Sequence, residues 1–172
     1  MMTNLLKITV AAAALMLGAS PAAAQAVNPN AQAKATARIV KPLSLYWVAD
    51  LDLGSIILGP GTWTGAVVSV ESDGTFACTN TNVTCTGLNS PARYRVTGTN
   101  NQDVTINASA SIDLTEPVSG DTLSMAVDNP GTINLANSGA VGYTFGLGGS
   151  ISVDSTTTDG TYEGLFDVTV EY

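Results

Sequence analysis

Cys78 and Cys85 are the only thiols of this 172-residue chain, separated by Thr79 to Thr84, and the chain has no histidine. Ser-His-Asp and Cys-His nucleophiles are therefore excluded, and so are the common zinc sites. A redox pair would need Cys-x-x-Cys spacing. Two cysteines flanking a polar turn read instead as a structural disulfide across a hairpin, which closes a short loop and stabilises by about 2–3 kcal/mol in the chain-entropy model.

The other groups capable of chemistry are fourteen carboxylates. A glycosidase needs two of them facing each other across a sugar, and no local pattern singles out a pair. Asp50 with Asp52, and Asp167 with Glu171, share strand faces as calcium ligands can, but the dense Asp-x-Asp-x-Asp-Gly loop is missing. Solvated strand faces explain these acids at least as well. Gly142 to Gly149 holds four glycines around Phe145 and Leu147. A phosphate loop would need a helix after it, whereas Ile151-Ser152-Val153 alternates like a strand, so the glycines read as bends or bulges. Arg93 and Arg95 face away from Ala92, Tyr94 and Val96, placed to pair with acids on an adjacent strand or to grip an acidic neighbour. The expectation is a non-enzyme with no catalytic residue, no metal and no cofactor.

Strands must position all of these groups. After the first two dozen residues apolar positions recur with period two, Thr and Val abound, and Gly, Asn, Asp or Pro punctuates every ten or so positions, the pattern of an all-β sandwich or barrel. The alternation predicts strands near Ala31–Ile39, Leu43–Trp47, Leu51–Leu58, Trp63–Val70, Thr75–Cys78, Cys85–Leu88, Ala92–Thr97, Val104–Ile112, Thr122–Val127, Thr132–Leu135, Val141–Val153 and Tyr162–Tyr172. Asp73-Gly74 and Asp159-Gly160 supply tight reversals. No repeat of solenoid length is visible.

The chain opens on an export signal. Lys7 is the only charge before the apolar run Ile8 to Leu17, which is too short to span a bilayer, and Ala22-Ala23-Ala24 precedes a cleavage point between Ala24 and Gln25. Residues 1–24 are thus read as signal peptide, 25–40 as an N-terminal extension or first strand, and 41–172 as one β-sandwich domain. An exported chain suits the disulfide. Without Lys7, five cations face fourteen carboxylates, a net charge of 5 − 14 = −9. Such a surface disfavours nucleic acid and anionic lipid, which clustered Lys and Arg bind.

Both ends of the exported part alternate. Ala31, Ala33, Ala35, Ala37 and Ile39 interleave with Gln32, Lys34, Thr36 and Arg38. On alternation alone this is an edge strand of its own domain, and the sharper reading is a donor strand that fills a neighbour's groove by strand addition. At the other end Phe166, Val168, Val170 and Tyr172 are expected to be buried, with Glu163, Asp167 and Glu171 in water. An eight-stranded outer-membrane barrel also ends on an aromatic, but ten aromatics in all are few for its girdles, and no direct membrane insertion is expected.

Four stretches, in order, carry a resemblance: Ala35-Thr36-Ala37-Arg38-Ile39-Val40-Lys41-Pro42-Leu43, Asp50-Leu51-Asp52-Leu53-Gly54-Ser55-Ile56, Ser90-Pro91-Ala92-Arg93-Tyr94-Arg95-Val96-Thr97-Gly98, and Gly160-Thr161-Tyr162-Glu163-Gly164-Leu165-Phe166-Asp167-Val168-Thr169-Val170. The chain resembles the bacterial family catalogued as domain of unknown function 4402, whose members look similar to fimbrial subunits of the chaperone–usher type. That resemblance implies an incomplete immunoglobulin-like antiparallel sandwich. It also implies a periplasmic chaperone, an outer-membrane usher and a filament of like subunits at the cell surface. Ala31 to Ile39 would be the donor and Tyr162 to Tyr172 would line the acceptor groove. The rival expectation is a self-contained secreted or periplasmic binding module on the same fold.

Overall fold

The computed structural model describes residues 32–136, 138 and 141–172. The signal segment, the cleavage pair Ala24 and Gln25, and Ala31 lie outside the described residues. Within them there are twelve strands and no helix: β1 (Ser44–Ala49), β2 (Ser55–Leu58), β3 (Ala66–Val70), β4 (Phe76–Cys78), β5 (Val83–Thr86), β6 (Ala92–Thr97), β7 (Asp103–Ala108), β8 (Ser111–Thr115), β9 (Thr122–Asp128), β10 (Thr132–Asn134), β11 (Tyr143–Val153) and β12 (Val168–Glu171). β1-β6-β11-β3-β4 runs across the large sheet, joined by β9 through β11 and by β8 through β9. β10-β7-β12 forms a second sheet and β2-β5 a ribbon of two strands. Pairing is antiparallel throughout, the expected sandwich, and the large sheet is open at β1 and β4 rather than closed into a barrel.

Period two places the core. Phe145, Leu147, Ile151 and Val153 stand on one phase of β11 and are buried. The first two join Val96, Val104, Ile106 and Leu135, while the last two join Ala66, Val68, Leu114 and Met125. Leu51 and Phe166 pack against both groups. One strand therefore carries the two halves of the interior.

The register of β11 against β3, β6 and β9 runs without a bulge at its glycines. Gly146, Gly148 and Gly149 are buried inside an unbroken strand, and each lies where another group presses on the backbone. A Cβ on Gly146 would strike the Ser72 carbonyl oxygen, one on Gly148 the Val70 carbonyl oxygen, and one on Gly149 would lie 2.8 Å from the Met125 sulfur. Close approach is the third use of a strand glycine.

A second correction concerns the single strand expected over Val104–Ile112. The chain makes β7 and then β8, and these belong to different sheets. Ser109 and Ala110, both exposed, form the corner. The apolar phase Val104, Ile106, Ile112, Leu114 passes through the corner unshifted, which is why alternation alone conceals it. Turns elsewhere are held by carboxylates. Glu116 is buried and accepts bonds from the amides of Ser119 (2.5 Å) and Val118 (2.9 Å), which hold its carboxyl below the usual range against the opposing effect of burial. Asp73 is lowered by the amide of Thr75 in the same manner.

Ahead of β1 the expected edge strand does not form. Residues 32–43 carry no strand, and Ile39 is 92% exposed. Alanine side chains bury little area per position, and Pro42 brings no amide to a ladder.

Candidate functional site

Of the terminal strand expected over Tyr162–Tyr172 only Val168–Glu171 forms, as β12, and among the described residues it pairs along one edge. β12 runs beside β7 with Val168 opposite Ala108 and Glu171 opposite Thr105, and upstream Glu163 exchanges two backbone bonds with Thr115 of β8 at 2.8 and 3.1 Å. Between these two anchors Gly164 lets the backbone press onto β8, since a Cβ there would lie 2.8 Å from Leu114 Cδ2 and 2.9 Å from the Asp113 oxygen. Among the described residues no strand lies along the other edge of β12. Strand edges left this way present unpaired amides and carbonyls.

A groove of about 1010 Å³ opens beside this segment. Residues 157–166 line one flank, and Asp50 to Ile56 with Leu58 line the other. Leu114, Leu123, Met125, Ile151 and Val153 form its floor, with Trp47, Ala92 and Tyr94 at one end. The two flanks are about a hundred residues apart in sequence, so the groove is a product of topology.

Phe166, Val168 and Val170 are half-buried and alternate with exposed Asp167, Thr169 and Glu171. β12 is an edge strand, so one side of each inward residue stays open. Tyr172, expected inside, is 42% exposed. Its hydroxyl reaches Gly98, where a Cβ would stand 2.7 Å from the phenol oxygen, and works at the rim. The oxygen accepts from the Thr99 amide at 2.7 Å and donates to the Lys41 carbonyl at 2.6 Å, while the Lys41 amide donates to Thr99 Oγ1 at 2.6 Å. Tyr172 thereby ties the end of β12 to the entry of β1. Tyr172→Phe is expected to lower stability by about 1 kcal/mol, read as a shifted urea midpoint at constant slope, and to speed amide exchange at Thr99 and Lys41.

The other flank is held by the disulfide. Cys78 and Cys85 are joined, with Cα atoms 6.3 Å apart, but not across a hairpin as expected. Cys78 sits opposite Val68 in the β3–β4 pair, and Cys85 sits opposite Ile56 in the β2–β5 ribbon. The turn between the cysteines thus leads from one sheet to another, and the bond staples the ribbon to the main sheet. Trp63 adds a second tie, its indole N–H donating to the Gly59 carbonyl at 3.1 Å.

Three of the four acids considered for calcium are engaged locally. Asp50 accepts from the Trp47 indole at 3.0 Å, Asp52 from the Gly54 amide at 2.8 Å, and Glu171 from the Asn107 side-chain amide at 3.1 Å. No group of three or more His, Cys, Asp or Glu among the described residues is arranged to hold a metal ion. Arg95 lies over the ring of Tyr46, its partner across the β1–β6 pair, 5.2 Å from the centroid, a cation–π contact where an acid was expected. At the end of the groove Tyr94 stacks on Phe145 with centroids 5.8 Å apart. Burial pushes its phenol up, and the charges of Asp50 and Asp167 push it further.

Alternation identified the terminal segment but not the flank opposite it. The local signal for that flank was Leu51, Leu53, Ile56 and Leu58, whose spacing shifts phase between Leu53 and Ile56. The shift marks the place where the chain leaves one neighbour for another. A family model described as domain of unknown function (DUF4402) matches residues 43–172. No curated protein and no solved structure matches the chain.

Proposed function

Because the chain belongs to the family described as domain of unknown function DUF4402, whose model spans the whole sandwich, we propose that it is an exported structural subunit of the cell surface, fimbrial or pilin-like, that assembles by strand addition. The observation that carries this reading is the groove itself: an apolar floor between two flanks, one of which, residues 157–166, pairs with a neighbouring strand only at Glu163. A segment in extended conformation would meet main-chain groups along that flank and place alternate side chains on the floor. The extension at residues 25–40 supports the same reading, because it has the alternation of a strand and, in its described part, forms none. The disulfide fits an oxidising compartment outside the cytoplasm. A periplasmic chaperone and an outer-membrane usher would then hold and deliver the subunit before a neighbour completes it.

Removing Gln25 to Ile39 is the test. The shortened protein is expected to remain folded and monomeric on size exclusion, while the chain beginning at Gln25 forms oligomers that survive brief SDS treatment and dissociate on heating. If the shortened protein unfolds and the longer one is a monomer, the extension belongs to its own domain and the strand-addition reading fails.

A further inference from the structure

The lips of the groove carry charge of one sign. Asp50 and Asp52 stand exposed on one flank and Asp159 and Glu163 exposed on the other, all lining the same opening. Asp50 and Asp167 both raise the phenol of Tyr94 at its end, so their field reaches into the groove. The floor offers little in compensation. Met125, Ile151, Val153 and Leu114 are already 1–9% exposed, leaving the half-buried Leu51, Leu53 and Ile56 and, at the margins, the exposed Trp47 and Leu165 to be covered. Small side chains laid on the floor therefore gain modest apolar burial, and selection among such occupants falls to the lips.

The exported part of the chain has five cations, and three of them fall within eight residues, Lys34 and Arg38 in the extension and Lys41 directly after it. Lys34 and Arg38 lie on the phase opposite the alanines, four residues apart, as Asp159 and Glu163 are on the lip. With the alanines on the floor, long cationic side chains on the outward phase can bend to either lip. We propose that the groove selects residues 31–39 of a second copy of this chain by charge: Ala31 to Ile39 lie on the apolar floor while Lys34 and Arg38 pair with Asp159 and Glu163 on one lip and Asp50 and Asp52 on the other. The proposal rests on the strand-addition reading and names its occupant. The remainder of the surface, rich in carboxylates, is turned away by the same lips.

The test uses the chain from Gln25 to Tyr172 in two charge-reversed forms. Lys34→Glu with Arg38→Glu makes the extension acidic against an acidic groove. Asp159→Lys with Glu163→Lys makes one lip of the groove basic against a basic extension. All four side chains are exposed, and circular dichroism checks that both forms fold. Each form alone is expected to self-associate on the order of tenfold more weakly than the parent chain, by light scattering. Mixed, the two are expected to recover association as an alternating co-assembly, because each extension then meets a lip of opposite charge at positions 159 and 163. Parent assembly should also weaken between about 20 and about 300 mM salt as screening shortens. Reversed forms that each assemble like the parent, or a mixture that recovers nothing, would overturn the charge selection and leave strand addition standing. A parent chain that is monomeric with and without Gln25 to Ile39 would remove both.

Discussion

Gly148→Val is expected to remove a large part of the stability of the domain. The added Cβ would fall against the Val70 carbonyl oxygen, with Glu71 C and Ser72 N each 2.7 Å away, and all three are backbone atoms at the exit of β3. A side chain could rotate aside, but this backbone is held by pairing with β11 and by the Ser72 amide bonded to Asp128 at 2.6 Å. Relief requires β3 and β11 to separate where the two core groups meet. Overpacking usually costs about 1–3 kcal/mol and more where backbone must shift, so a loss above about 3 kcal/mol is expected against a typical net stability of about 5–15. Urea unfolding measures it. Gly120→Ala is the comparison, since its Cβ meets nothing within 4 Å and only the φ of +79° opposes it, a cost of about 1–2 kcal/mol.

Loss of the disulfide is the second large effect. Cys78→Ser with Cys85→Ser is expected to lower stability by about 2–3 kcal/mol, from the loop-closure entropy returned to the unfolded chain. A further consequence depends on where the bond sits. β2 and β5 pair only with each other among the described residues, so the ribbon loses its covalent tie to β4 and keeps the Trp63 bond to Gly59. Amide exchange should therefore rise at Ile56, Ile57 and Thr84 well before it rises in β6 or β11, a local opening below the global one. Uniform loss of protection across both sheets would show that the bond acts on overall stability alone. Because Ile56 and Leu58 line the groove, the same variant should also bind an added strand less well.

Much of the fold was legible because period two is a local signal. Ala92–Thr97 is a strand at the expected bounds, and most others differ by a few residues. Failures came where a decision is not local. At Ser109 and Ala110 the apolar phase continues while the hydrogen-bonding partner changes, and alternation reports the phase alone. Cys78 and Cys85 flank a short polar turn whether their strands pair with each other or with separate sheets. Gly146 and Gly148 are small because of Ser72 and Val70, residues far away in sequence. Tyr172 keeps the inward phase of the last strand but reaches the rim, since its hydroxyl meets partners on Lys41 and Thr99. The terminal segment was recognisable as one flank of a groove. The opposite flank was not, because only the packed structure brings Leu51 to Ile56 across from residues 157–166.

β11 has a meaning in time as well as in space. It is the eleventh of the twelve strands among the described residues and yet lies between β6 and β3 in the large sheet, so without it β1–β6 and β3–β4 share no strand pairing. Its partners are distant: Gly149 meets Val70, and Leu147 meets Ala92. Contacts of such separation form slowly, because loop closure precedes any gain from pairing. A chain delivered from its N-terminus must therefore present most of its strands, edges uncovered, before the strand that unites them arrives, and that interval is when strand edges are most exposed to wrong partners.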